Sequence, residues 1–243
     1  MCWSSTADLM AGGTVTVLGL AALTQVRAVR QLPLAVLPLL LGVHQLIEAF
    51  VWWGRQGEVG AGTAAAARTA WAVIAYPLLP ALVPLGVLLV AVPARRVLLA
   101  GFLAVGLATT AVLAYAVASG PVTAAVDGHT LRYGVGVPHS TLVGAGYLVA
   151  TVGALVASGQ RDIRMLGIVC GAGAVVCLTL WQTAFVSTWC ALAALASLFV
   201  LRWLRRADGG GDGSGDGAGE GADGGAGSPV RPVLPGGGDP AGV

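Results

Sequence analysis

Residues 32–53 read LPLAVLPLLLGVHQLIEAFVWW and contain one formal charge, Glu48. About 20 mostly apolar residues are enough to cross a bilayer as a helix, so this stretch reads as a transmembrane span. Its polar residues are grouped. His44 and Glu48 are four apart and Gln45 and Glu48 three apart, so the three share one helix face. An ionisable group inside a span costs about 2.5–3.5 kcal/mol or more at the helix centre and turns toward the bundle interior. His44, Gln45 and Glu48, with Trp52 one turn further on, are therefore the first candidate site.

Working outward, six more stretches have the length and composition of spans: approximately residues 7–26, 69–92, 97–118, 140–158, 165–184 and 186–204. The 243-residue chain is 56% hydrophobic and 10% charged, with a mean hydropathy of +0.84, outside the usual composition of a soluble domain. The expected fold is an all-α membrane protein, a seven-transmembrane-helix bundle over residues 1–206. The first stretch starts at Ser5-Thr6-Ala7-Asp8, a pattern that satisfies the open amides of a first turn and gives Asp8 a capping role. No basic segment precedes it, as one would in a secretory signal, so it reads as a retained helix.

From Ala207 the composition changes: 15 of the 37 residues 207–243 are Gly, and six acids face one Arg. Such a segment buries too little apolar surface to offset its chain entropy, so residues 207–243 read as a disordered cytoplasmic tail. Truncation after Arg206 should leave membrane insertion and the thermal midpoint in detergent unchanged. A large fall in that midpoint would show the tail packing on the body.

Orientation follows from arginine. Short cytoplasmic loops retain positive charge, and in a seven-helix arrangement Arg27, Arg30, Arg95, Arg96, Arg161, Arg164, Arg202, Arg205 and Arg206 fall on one side, against Arg55, Arg68 and Arg132 on the other. That places the N-terminus outside and the C-terminus in the cytoplasm. Most of the Trp residues then gather at the outer interface, where indoles are enriched. The sixth and seventh spans must be joined by a tight turn around Ala184.

Between the fourth and fifth spans, residues 122–133 are rich in strand formers around Asp127-Gly128. Asp-Gly suits a type I′ turn, so a small extracytoplasmic β-hairpin is expected there. Pro77, Pro80 and Pro84 should kink the third span. Gly167 and Gly171 form a small-xxx-small pair suited to a close helix contact in the sixth. Cys170 and Cys177, seven apart on that span, read as buried packing residues.

Several chemistries are excluded. All 13 basic residues are Arg, so there is no lysine for a Schiff base to retinal or pyridoxal phosphate, nor for a phosphate-binding loop. No cofactor is identified. The arginines are spread over loop ends, which does not describe a nucleic-acid surface. No CxxC or HExxH spacing occurs.

The remaining polar residues concentrate in the outer half, including Cys2, Ser4, Tyr76, Tyr115, His139, Ser140, Gln182, Ser187, Thr188 and Cys190, whereas the inner half is almost purely aliphatic. This distribution predicts a polar cavity opening outward, with ligand-binding candidates Glu48, Gln45, His44, Trp52, His139, Gln182, Ser187 and Cys190. Three alternatives stand beside it. Glu48 alone could be a structural tie between helices. His44, His129 and His139 could hold a metal with Glu48. Cys2, terminal once Met1 is removed, could act as a nucleophile beside its own amine, or pair with Cys190 in a disulfide.

The segments Met1-Cys2-Trp3-Ser4-Ser5-Thr6-Ala7, Leu32-Pro33-Leu34, Pro38-Leu39-Leu40-Leu41-Gly42-Val43-His44-Gln45-Leu46-Ile47-Glu48 and Val186-Ser187-Thr188-Trp189-Cys190-Ala191 resemble a bacterial seven-helix membrane-protein family of unknown function whose members begin Met-Cys-Phe-Ser-Ala. The likeness spans most of residues 1–204. The chain departs from the pattern at Trp3 and Ser5, and the family often has Gln where His44 stands. The resemblance implies the seven-helix architecture and draws attention to Cys2, Gln45, Glu48, Ser187 and Cys190. The functional expectation is a multipass protein of the bacterial cytoplasmic membrane, partnered by the bilayer, that binds or moves a small molecule or lipid headgroup. The competing classes are a membrane-embedded hydrolase and a structural partner in the envelope.

Overall fold

The computed structural model describes residues 4–127, 130–179 and 185–209, with side chains described outside residues 127, 130, 177–179, 185–192 and 207–209. The chain is mostly helical, with seven long helices among the described residues: α1 Ser5–Leu23, α2 Val29–Gln56, α3 Ala61–Leu89, α4 Pro93–Ser119, α5 Ser140–Ala157, α6 Arg161–Thr179 and α7 Phe185–Gly209. The first five are long and apolar enough to cross a membrane. α1 packs on α2 and α7, α3 on α2 and α4, and α6 on α5 and α7. The turn expected around Ala184 lies outside the described residues. So does the tail beyond Gly209, the point to which α7 extends.

Three local expectations are corrected. The cap of α1 is Ser4, whose hydroxyl accepts from the Ala7 amide at 3.2 Å, so Asp8 lies beyond the capping position and is free to turn inward. α3 begins at Ala61 rather than near 69, because the alanine-rich run 61–68 is weakly hydrophobic yet strongly helix-forming. The hairpin is present, with strands β1 (Thr123–Asp127) and β2 (Thr130–Gly134), but its register pairs Asp127 with Thr130. Asp127 is thus the last strand residue, and the two connecting residues are Gly128 and His129, outside the described residues.

The prolines of α3 are absorbed by a π-helical turn at Ile74–Leu78, which holds Pro77. Neighbouring helices take up carbonyls of this turn: Tyr147 of α5 donates to the Ala75 oxygen at 3.0 Å and Thr110 of α4 to the Pro77 oxygen at 2.8 Å. α5 carries its own π turn at Val149–Gly153. Close backbone approach elsewhere is made by glycine. A Cβ on Gly167 would lie 2.7 Å from the Leu155 side chain, and one on Gly171 3.1 Å from Val152, so this pair does serve the α5–α6 contact. Gly12, Gly19 and Gly42 do the same between α1 and α2, where added Cβ atoms would meet Leu46, Leu39 and Thr16.

Arg202 and Arg206 lie beside Asp162, and a Cβ on Gly159 would lie 3.6 Å from Arg95, so the α3–α4 and α5–α6 connections and the C-terminal part of α7 share one end of the bundle. There Gln160 bridges two helices: its Nε2 donates to the Val90 carbonyl at 2.6 Å and its Oε1 accepts from the Trp203 indole at 2.6 Å. Asp162 sits beside Arg206 at 3.2 Å and Arg202 at 3.5 Å. These arginines are more than half exposed, so the ion pairs contribute little. Gln160→Leu strands the N–H of buried Trp203 and should cost about 1–3 kcal/mol. Thermal denaturation in detergent checks this: a lowered midpoint is expected, and an unchanged one would show the bridge to be dispensable.

Candidate functional site

The stripe His44–Gln45–Glu48–Trp52 on α2 is buried, at 5%, 3%, 1% and 7% exposure. The helix that carries it ends cleanly, at Gly57 in the left-handed region (φ 77°), whose amide bonds the Trp53 carbonyl. Facing the stripe from α3 is Trp71, 2% exposed, whose ring centroid lies 4.7 Å from that of His44. On its far side Trp71 stacks on Tyr133 of β2, centroids 3.6 Å apart and planes 5° from parallel. Leu131 of the same strand packs with Val51, Trp52 and Ala67. The hairpin therefore folds over this end of α2 and α3 and covers the stripe.

The other wall is α1. Gly12 lies against Gly42 and Leu46, and Gly19 against Leu39, which fixes an antiparallel register between α1 and α2. One turn before Gly12, that register brings Asp8 level with Glu48 and its neighbours. Asp8 is fully buried. Two acids therefore sit at one depth within the span, in the half of the bundle nearer the hairpin. Capping chemistry explained Asp8 in the sequence and concealed this. The signal that could have exposed it is α1's spacing of small residues, Gly12, Thr16 and Gly19, which marks the face turned to α2.

Hydrogen-bonding capacity in the cluster is incompletely used. Among the described residues, the buried atoms His44 Nε2, Gln45 Oε1, Trp52 Nε1, Trp71 Nε1 and Thr16 Oγ1 have no hydrogen-bond partner. Buried polar atoms are normally satisfied by protein, water or ligand. The four stripe side chains are nevertheless each buried, and no polar cavity is seen at them among the described residues. A cavity does occur in the bundle, but it is lined by apolar groups and lies deeper.

The remaining candidates are placed differently. His139 is exposed, in the left-handed region (φ 46°) at the head of α5, away from the buried stripe. Tyr115, one of the polar residues of the outer half, is 72% exposed. Tyr76 is closer, with its ring 6.1 Å from Trp71. Ser187 and Cys190 fall on α7 without described side chains, and Cys2, His129 and Gln182 lie outside the described residues. Among the described residues no three His, Cys, Asp or Glu side chains gather as a metal site would require. Cys170 is a free thiol.

No curated protein and no solved structure matches the chain. A family model described as "Family of unknown function (DUF6629)" matches residues 1–212, which take in all seven helices and the hairpin, and the chain belongs to that family.

Proposed function

We propose that the protein binds or moves a small polar molecule, or the headgroup of a lipid, at the buried Asp8–His44–Gln45–Glu48 cluster under the hairpin. The observation that carries this reading is the unspent hydrogen-bonding capacity of His44 Nε2 and Gln45 Oε1, both deep in an apolar bundle beside two acids. Polar groups inside a membrane domain are costly to retain, and open donors and acceptors are what a guest would satisfy. Two acidic side chains at one depth of the bundle favour a guest with a positive charge, such as an amine.

The reading includes an orientation: hairpin and N-terminus outside, arginine-rich end and C-terminus in the cytoplasm, in the cytoplasmic membrane of a bacterium. The 9-to-3 split of body arginines supports it. Topology reporters should place residues 57 and 127 outside and residues 160 and 215 inside. A cytoplasmic signal at residue 127 would reverse the assignment.

The binding experiment uses the full chain in lipid nanodiscs with ethanolamine as probe and glycerol as the neutral control. A ligand that binds only the folded state raises the unfolding midpoint as its concentration rises. Ethanolamine should raise it saturably, and glycerol should not. Identical responses to the two compounds would remove the charge argument.

A further inference from the structure

On the same face of α2 as the polar stripe, but about two turns nearer the arginine-rich end, Leu37 and Leu41 line a cavity of about 160 Å³. Leu79 and Val83 of α3, Leu155 of α5 and Leu166 of α6 supply its bulky walls. Ala174 of α6 and Ala193 and Ala196 of α7 form a wall of small side chains that leaves the space open. From this geometry we infer that the cavity takes the hydrocarbon chain of a bilayer phospholipid. The inference goes beyond the polar-cluster reading and stands without it.

Three observations select that occupant. First, the polar side chains on the lining are already spent: Thr151 donates to the Tyr147 carbonyl at 2.8 Å, Ser197 to the Ala193 carbonyl at 2.7 Å, and Tyr147 to the Ala75 carbonyl at 3.0 Å. A guest that needs donors finds no hydroxyl proton left to offer, and the rest of the lining is apolar apart from the weakly polar Cys170 thiol. Second, the volume suits hydrocarbon: an apolar cavity of about 150 Å³ stays dry in water yet admits benzene, which corresponds to a short length of acyl chain. Third, Leu148 both lines the cavity and is 38% exposed, marking where the space reaches the surface of the bundle beside α5. Around a spanning bundle, the fluid at that surface is lipid chain. Filling the space restores the dispersion contacts that an empty cavity forfeits.

The test uses the full chain in nanodiscs of phosphatidylcholine doped with a phosphatidylcholine whose acyl chain ends in a diazirine. After illumination, cross-linked residues are mapped by mass spectrometry. Cross-links should fall on the lining positions Cys170, Ala174 and Ala196 as well as on the outward-facing Leu195 and Leu198 of α7. Ala196→Phe should remove the lining set and leave the outward set. Cys170→Phe fills the space from α6 and should do the same, which keeps the test valid if one variant fails to fold. Cross-links confined to Leu195 and Leu198 would overturn the inference. So would a lining set that survives in both folded variants.

Discussion

Gly106→Ala should destabilise the bundle, while Gly101→Ala, on the same helix, should not. Gly106 is buried where α4 crosses α3, and a Cβ there would run into the Pro80 carbonyl oxygen with Pro84 close behind. Neither obstacle is the movable end of a side chain. The Pro80 carbonyl lies just past the π turn, in a stretch already held by Thr110 and Tyr147. Relief therefore requires α4 to move off α3, and overpacking of this kind costs about 1–3 kcal/mol. Gly101 has nothing within 4 Å of its would-be Cβ. Its replacement should be neutral, or gain up to about 1 kcal/mol in helix propensity. The readout is the unfolding midpoint of each variant in detergent: equal midpoints would show that the α3–α4 crossing is looser than described.

The spans were legible because the bilayer imposes a length and a composition on each, and a run such as 32–53 satisfies both without reference to any partner. The hairpin was legible for a similar reason, since its strands are neighbours in sequence. What stayed hidden depends on rotation about a helix axis and on partners far along the chain. Depth along the span puts Tyr115 in the polar outer half, and rotation about the helix axis leaves it 72% exposed. Asp8 looked like a cap, and its burial follows from a register with α2 set by Gly12, Gly19 and Gly42. Trp71 is the slab between His44 and Tyr133, a place that its position along the chain does not disclose. The polar stripe itself was legible because its residues lie on one face of one helix. That the stripe is closed over was not, because β2 does the closing and lies about 80 residues away in the chain.

The second large effect is at Glu48. Glu48→Leu replaces a buried carboxyl that has an interaction partner with an apolar side chain, and leaves that partner and the other polar groups of the cluster facing hydrocarbon. Leaving a buried polar group without its partner costs about 1–3 kcal/mol, so the variant should unfold at a lower temperature and lose binding. Glu48→Gln keeps the shape and an acceptor oxygen while removing the ability to carry charge. It should fold like the wild type, and the two variants together separate a structural tie from a binding group. A tie is preserved by glutamine. A group that neutralises a charged guest is not.

Equilibrium binding of radiolabelled ethanolamine to wild type and Glu48→Gln in nanodiscs, at matched amounts of folded protein, bears most directly on the cluster as a binding site. Saturable binding to the wild type and its loss in Glu48→Gln, with the unfolding midpoint unchanged, is the predicted result. Equal binding to both proteins, or none to either, would contradict it and leave Asp8, His44, Gln45 and Glu48 as a polar seam that holds α1, α2 and α3 together.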